Sequence, residues 1–295
     1  MKLNNQEKTK IQKAQQILKE MKQKGFEAFI VGGAVRDIIL NISINDIDIT
    51  TNGHYEEIKK FFICKKKNIK YGSFQIIFEK EKFEITTYRE EGPYLDYRNP
   101  SFVKFIKDIK EDLKRRDFTI NSLLMDENGK IIDYINAYNE FNHKKIKTIG
   151  FSDKKFKEDA LRIMRLFTLQ AKTNFDIDEE TEQAVINNIS LISKIKTQYI
   201  LEELKKITKQ KFYQKAFLSL KRTNAISFLK EFKESILFII EANFKKMTPE
   251  LFFKLSFILN PKIIHSFTFN KSKKEQFQKI LSLYEQLIKS SLVIN

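Results

Sequence analysis

The chain has 295 residues, 42% of them hydrophobic and 31% charged, with a formal net charge of +16. That suits one large domain or two to three small ones, and no apolar run reaches the ~20 residues that a membrane-spanning helix needs. The single cysteine, Cys64, excludes an internal disulfide and a thiolate zinc cluster, and His54, His143 and His265 lack metal-ligand spacing. The N-terminal stretch MKLNNQEKTKIQKAQQ is polar and has no apolar signal core, so a reducing cytoplasm is the expected setting. Charge is uneven, because residues 201–295 hold 18 Lys and Arg against 8 Asp and Glu, +10 of the +16. A concentrated excess suits a polyanion such as a phosphate backbone, although lysine bias from an A- and T-rich coding sequence leaves the same trace.

In chain order, residues 6–24 read as an amphipathic helix and FEAFIVGG (26–33) as a short buried strand ending at two glycines. AVRDIIL reads as a helix, DIDITT (46–51) as a strand and HYEEIKKFF as a helix. FQIIFEK (74–80) and KFEITTY (82–88) read as two strands about a tight turn, and IIDYINA as one more short strand. From KFKEDALRIMRLF onward, Leu, Ile and Phe recur at helical spacing with almost no Gly or Pro. The expectation is an α+β head over 1–150 followed by an all-helical remainder, with the boundary near Gly150.

Three stretches carry chemistry. In VGGAVRD…DIDITT, Asp46 and Asp48 are two apart on a strand and share a face, where paired carboxylates repel unless a cation neutralises them. Oxygen ligands of this kind suit Mg²⁺. Gly32 and Gly33 let backbone N–H groups approach an anion, and Arg36, a turn into the following helix, could reach the same phosphate. A solvated acidic strand end would give D-x-D alone, but the combination is more specific. In KRRDFTIN (114–121), twin arginines can clamp phosphate or ribose, while a surface basic pair with Asp117 as a helix cap is the simpler account of these residues alone. KEDALRIMR (157–165) reads as helix, on which Glu158, Asp159, Arg162 and Arg165 share one face. An exposed ion-pair ladder would look the same. A carboxylate that accepts from a base amino group, beside an arginine that donates to the ring nitrogen, would select cytosine and adenine and refuse uracil and guanine.

These three motifs, in this order, resemble the class II tRNA nucleotidyltransferases, the bacterial CCA-adding enzymes and their poly(A) polymerase relatives, over roughly residues 26–180. The resemblance implies a polymerase-β-like nucleotidyltransferase head with a mixed sheet, a helical neck (151–200) that selects the nucleotide and a basic helical body (201–295) that binds tRNA. It implies addition of C and A to the tRNA 3′ end from CTP and ATP with release of pyrophosphate, in the cytoplasm, with no membrane or DNA partner. By that resemblance Asp46 and Asp48 bind Mg²⁺ and Glu84 is the candidate third catalytic carboxylate. Gly32, Gly33, Arg36 and Arg116 would serve the triphosphate side; Asp159 and Arg162 would read the base, with Glu158 and Arg165 beside them. TTYREEGPYLDYRNP (86–100) resembles the family's mobile loop at full length, which favours addition of A. One departure is Thr168, where the family often carries a further arginine. An A-adding enzyme or poly(A) polymerase is the nearest alternative, and a non-catalytic tRNA-binding protein is the alternative of another class.

Overall fold

The computed structural model describes residues 3–263 and 271–292, so His265 lies outside the described residues. The chain divides into two units, Met1–Glu158 and Asp159–Asn295. No helix among the described residues is long and apolar enough to cross a membrane.

The first unit opens with helix α1 (Asn5–Gln23), started by a capping box in which the Asn4 side chain accepts from Glu7 N and Asn4 N donates to the Glu7 carboxylate, both at 2.8 Å. Ala14, Ile17, Leu18 and Met21 recur on its buried face. The strands that follow are β1 (Ala28–Val31), β2 (Asp48–Thr51), β3 (Ile63–Asn68), β4 (Ser73–Phe78) and β5 (Glu81–Thr87), with helices α2 (Gly33–Ile39) and α3 (Tyr55–Ile58) between them. A hairpin, β6 (Arg89–Glu91) and β7 (Val103–Phe105), precedes helix α4 (Ile109–Lys114), and β8 (Leu124–Met125) and β9 (Ile131–Ile132) follow it.

The main sheet runs β3-β4-β5-β2-β1-β8-β9. Its β2–β5 pair is parallel and its other pairs are antiparallel, so the expected mixed sheet is present. Alternation along the strands divides its faces. Ile30, Ile49, Phe74, Ile76, Phe83 and Ile85 join α1 and α2 in one core. Phe29, Val31, Tyr88 and Leu124 join Ile109 and Leu113 of α4 in a smaller one on the other face. Each buried side chain of this size contributes roughly 1.5–3 kcal/mol relative to exposure.

Three element boundaries differ from the sequence reading. Strand β2 begins at Asp48, and Asp46 precedes it in irregular chain. α3 is a single turn. Helices α5 (Tyr138–His143) and α6 (Ser152–Glu158) carry the first unit past Gly150, because Phe156 is fully buried and the Lys155 ammonium caps α4 by donating to Lys114 O at 2.5 Å.

The second unit is built on α7 (Leu161–Thr173), α8 (Glu179–Asn188), α9 (Thr197–Thr208), α10 (Tyr213–Arg222), α11 (Lys233–Ala242), α12 (Pro249–Leu259) and α13 (Lys271–Leu292). α7 packs on α9 and α10, and α12 on α9, α11 and α13. Phenylalanine fills much of this core: the Phe232 and Phe252 rings stack at 5.7 Å, and those of Phe257 and Phe277 at 4.9 Å.

Candidate active site

Gly32 ends the approach from β1 with φ +80°, a backbone state that side-chain-bearing residues rarely adopt, and caps α2. A Cβ built there would lie 3.6 Å from Asp48 Oδ2, so the glycine turn and the carboxylate are neighbours. Gly33 answers a different need, since a Cβ there would meet Arg36 Nη2 at 3.3 Å.

Arg36 is only 5% exposed. Its Nε and Nη2 both donate to Asp37 Oδ1, at 2.9 and 2.7 Å, and its Nη1 donates to Asn121 Oδ1 at 2.6 Å. The arginine expected at the phosphate thus braces the chain behind the glycine turn.

The register of β2 on β5 places Asp48 directly beside Glu84. Ile49 and Ile85 point to the α1 side, so both carboxylates occupy the opposite face, the one that α4 covers. Glu84 Oε1 accepts from Gln75 Nε2 at 2.6 Å and pairs with Lys67 Nζ at 2.9 Å. Asp48 is exposed to solvent, yet the protein around it desolvates its carboxylate and raises its pKa; Glu84 and Asp46 push it further up, while Arg116 and Lys67 oppose them. A carboxylate crowded this way gains from a cation. Paired carboxylates fit a divalent ion that completes its shell with water and substrate phosphate; among the described residues no group of three or more His, Cys, Asp or Glu side chains forms a metal cage. Cys64 is not a candidate nucleophile, since burial pushes its thiol up to about 11.

The twin arginines follow a helix instead of starting one. Arg115 Nε donates to Asp112 Oδ1 at 2.8 Å and Arg116 Nη2 to Asp112 Oδ2 at 2.9 Å, so one fully buried carboxylate holds both. Asp117 accepts from Phe118 N at 2.8 Å and Asn121 Nδ2 at 3.3 Å, and only a short 3₁₀ turn, Thr119–Asn121, follows. The same buried network reaches the hairpin. Arg89 N donates to Asp112, Arg89 Nε and Nη2 donate to Glu91 at 3.0 and 2.6 Å, Arg115 Nη1 adds a contact at 3.3 Å, and Tyr94 O–H donates to Glu91 as well. Burial acts to raise the Asp112 and Glu91 carboxyls, but the guanidiniums overcome it and both fall below their ordinary values. Three guanidiniums against two carboxylates leave this cluster net positive near Asp48.

Sequence reasoning missed Arg89, Glu91 and Asp112 in this role. The three- and four-residue spacing from Asp112 to Arg115 and Arg116 was the available signal.

KEDALRIMR is not one continuous helix. Glu158 ends α6, Asp159 and Ala160 interrupt, and α7 starts at Leu161. Asp159 causes the break, because its Oδ1 accepts from Leu161 N at 3.0 Å while its carbonyl takes Arg162 N at 3.0 Å. Asp159 and Arg162 are buried, at 5% and 4% exposed, and Arg162 and Arg165 follow each other by three residues on α7. Thr168 donates to buried Glu203 of α9 at 2.7 Å and to Met164 O at 3.2 Å, and Lys206 pairs with the same glutamate at 2.7 Å. The position of the family arginine is thus filled by a neutral donor inside the α7–α9 packing.

Two family descriptions match the chain: "Poly A polymerase head domain" over residues 28–147, and "Probable RNA and SrmB- binding site of polymerase A" over residues 174–236. The CCA-adding enzyme of Staphylococcus epidermidis is 37% identical over 289 residues, which cover 94% of this chain and 70% of that protein. That of Lactobacillus helveticus is 42% identical over 196 residues, 66% of this chain and 49% of the relative. The chain therefore spans about half to 70% of the length of the curated relatives it matches. Among solved structures, the Bacillus stearothermophilus CCA-adding enzyme in complex with CTP superposes with a TM-score of 0.69 at 32% identity, covering 78% of this chain and 57% of that one. Sequence and fold agree: the chain belongs to the CCA-adding enzyme family of tRNA nucleotidyltransferases, with a poly(A) polymerase head domain of the polymerase-β-like type.

Proposed function

We propose that this chain adds C and A to the 3′ end of tRNA from CTP and ATP, without a nucleic-acid template, in the cytoplasm. The observation that carries the reading is Asp48 in register with Glu84 and beside the Gly32 turn, under the positive field of Arg116. Asp46 and Asp48 are the acids that would hold Mg²⁺, with Glu84 as the third catalytic carboxylate beside them; in a two-ion arrangement one ion would lower the pKa of the attacking 3′-hydroxyl and the other would neutralise the leaving pyrophosphate.

The chain's own residues do the positioning. Gly32 and Gly33 keep the backbone open beside the acids, Arg36 locks that turn from behind, and Arg116 faces the phosphates. Asp159 accepts from the exocyclic amino group of C or A, Arg162 donates to the ring nitrogen, and Glu158 and Arg165 support them. Helices from residue 151 to 200 serve as the selecting neck, and the basic residues of 201–295 hold the tRNA phosphates. The test supplies tRNA lacking its CCA end, labelled CTP and ATP, and Mg²⁺. Label enters the tRNA only when the ion is present, and chelation stops it. A chain that binds the tRNA but incorporates no label under these conditions is the non-catalytic alternative.

A further inference from the structure

Lys67 is the residue that strand pairing leaves over. Along β3 the partners on β4 run Ile63–Ile77, Cys64–Ile76, Lys65–Gln75 and Lys66–Phe74; the next pair is Asn68–Ser73. Lys67 is therefore the extra residue of a β-bulge, a device that bends a strand and re-aims a side chain. Its neighbour Lys66 lies over the Tyr55 ring, 5.9 Å from the centroid. Lys67 instead reaches across β4 to β5, two strand spacings or about 9–10 Å away, and sets its Nζ 2.9 Å from Glu84 Oε1. Gln75, on the strand between, donates to that same oxygen at 2.6 Å. An edge strand gains protection from outward lysines, but that service does not require an inward-turned one. The acid it finds is the one beside Asp48.

We propose that Lys67 is the resting counter-ion of the catalytic carboxylates, holding Glu84 beside Asp48 while no divalent cation is bound and yielding Glu84 when the cation arrives. The proposal rests on the reading of Asp46 and Asp48 as the cation-binding acids and of Glu84 as the third carboxylate beside them. It makes Lys67 a positioning residue. Its side chain is 56% exposed and that of Glu84 is 31% exposed, so the ion pair is weak and a divalent ion can displace it. Gln75 keeps the glutamate in place during the exchange.

The test titrates Mn²⁺ alone into the full chain, without nucleotide or tRNA, by calorimetry. Lys67→Met removes a competitor for Glu84, so Mn²⁺ binds up to about fivefold tighter than to the wild type. The metal-free Lys67→Met protein melts lower than the wild type, and saturating Mn²⁺ closes that gap. Lys67→Arg keeps the charge and binds Mn²⁺ as the wild type does. Wild-type or weaker affinity in Lys67→Met overturns the proposal, as does a Lys67→Arg shift equal to that of Lys67→Met. Asp48→Asn separates the two levels. If it binds Mn²⁺ like the wild type, the cation-site reading itself fails; if it loses Mn²⁺ while Lys67→Met is unchanged, only the role of Lys67 fails.

Discussion

Arg36 Nη1 donates to Asn121 Oδ1 at 2.6 Å, tying the helix after the glycine turn to the segment after the twin arginines. With Asp37 accepting from Nε and Nη2, all three guanidinium nitrogens are engaged within the chain. Arg36→Ala would take the guanidinium away from Asp37, which is 2% exposed. The expected cost is roughly 3–5 kcal/mol of stability, the scale for breaking a buried pair from one side. Urea unfolding at neutral pH measures it. An Arg36→Ala protein of wild-type stability that no longer binds CTP would return Arg36 to the role of phosphate ligand.

Asp48→Asn separates activity from stability in opposite directions. Partial desolvation and the neighbouring Glu84 and Asp46 penalise the charge of Asp48 in the absence of a cation. Its neutral replacement should raise the melting temperature of the metal-free protein. Incorporation should fall by at least about a hundredfold, as when one positioned catalytic group is removed. Thermal melts with and without Mg²⁺ check the first part, and initial rates the second. A variant that melts lower and still incorporates label would show that the acid is structural.

Asp112 gives the pH dependence. Its folded pKa is depressed, because burial, which would raise it, is outweighed by Arg116 and Arg115. A depressed carboxylate contributes stability that is fully present above its unfolded value, about 4, and is lost as pH falls through the lower folded value. Asp112→Asn lacks that contribution at every pH. The wild type should therefore exceed the variant by roughly 3–5 kcal/mol at pH 7, and the gap should narrow below about pH 4. Urea midpoints at three pH values test the sign. A gap that is constant with pH would assign the loss to shape.

The glycine turn, the alternating strands β4 and β5 and the helical second unit were readable because each rests on a local period or on a backbone requirement of one or two residues. The buried clamp was not, because Arg89, Glu91 and Asp112 are scattered polar residues until β6 pairs with β7 and α4 packs above them. The first hairpin strand lies inside the stretch 86–100 that resembles the family's loop, and REE and VKF carry almost no apolar alternation that would mark a strand. Lys67 was invisible for a similar reason, as a bulge is defined only by the partner strand. The helix break at Asp159 had a legible cause, a short acceptor side chain able to compete for a backbone N–H, but the amphipathic period ran through it.

Asp159 has two tasks in this reading, and one substitution can split them. Its Oδ1 takes Leu161 N at the start of α7. Asparagine retains an oxygen for that bond and presents an amide N–H₂ in place of the second oxygen. Asp159→Asn should therefore keep the fold and move preference from CTP and ATP toward UTP and GTP, whose edges offer carbonyl acceptors. The expected change in discrimination is about 1–3 kcal/mol, the scale of one good base contact. The ratios of kcat/KM among the four nucleotides measure it. Unchanged ratios in a folded variant would reduce Asp159 to a helix cap.

The hairpin loop tests which member of the family this chain is. Its base is fixed by Glu91 with Arg89, Arg115 and Tyr94, and the tip is closed by pairing of Tyr94 with Pro100. Residues 95–99 can be removed with that closure replaced by a tight turn, leaving the clamp intact. Three tRNA substrates are then offered, ending before the CCA, after C and after CC, with CTP and ATP separately and together. The intact chain should bring all three to one common length, because each addition lengthens the primer until its end no longer meets the acids. Extension of only the last substrate would identify an A-adding specialist, and a ladder that keeps growing with ATP a poly(A) polymerase. The shortened chain should still add CC and fail at the final A, since the switch to ATP is the step expected to need loop movement. If the deletion slows C and A addition equally, the tip positions both substrates alike, and loop length no longer speaks for addition of A.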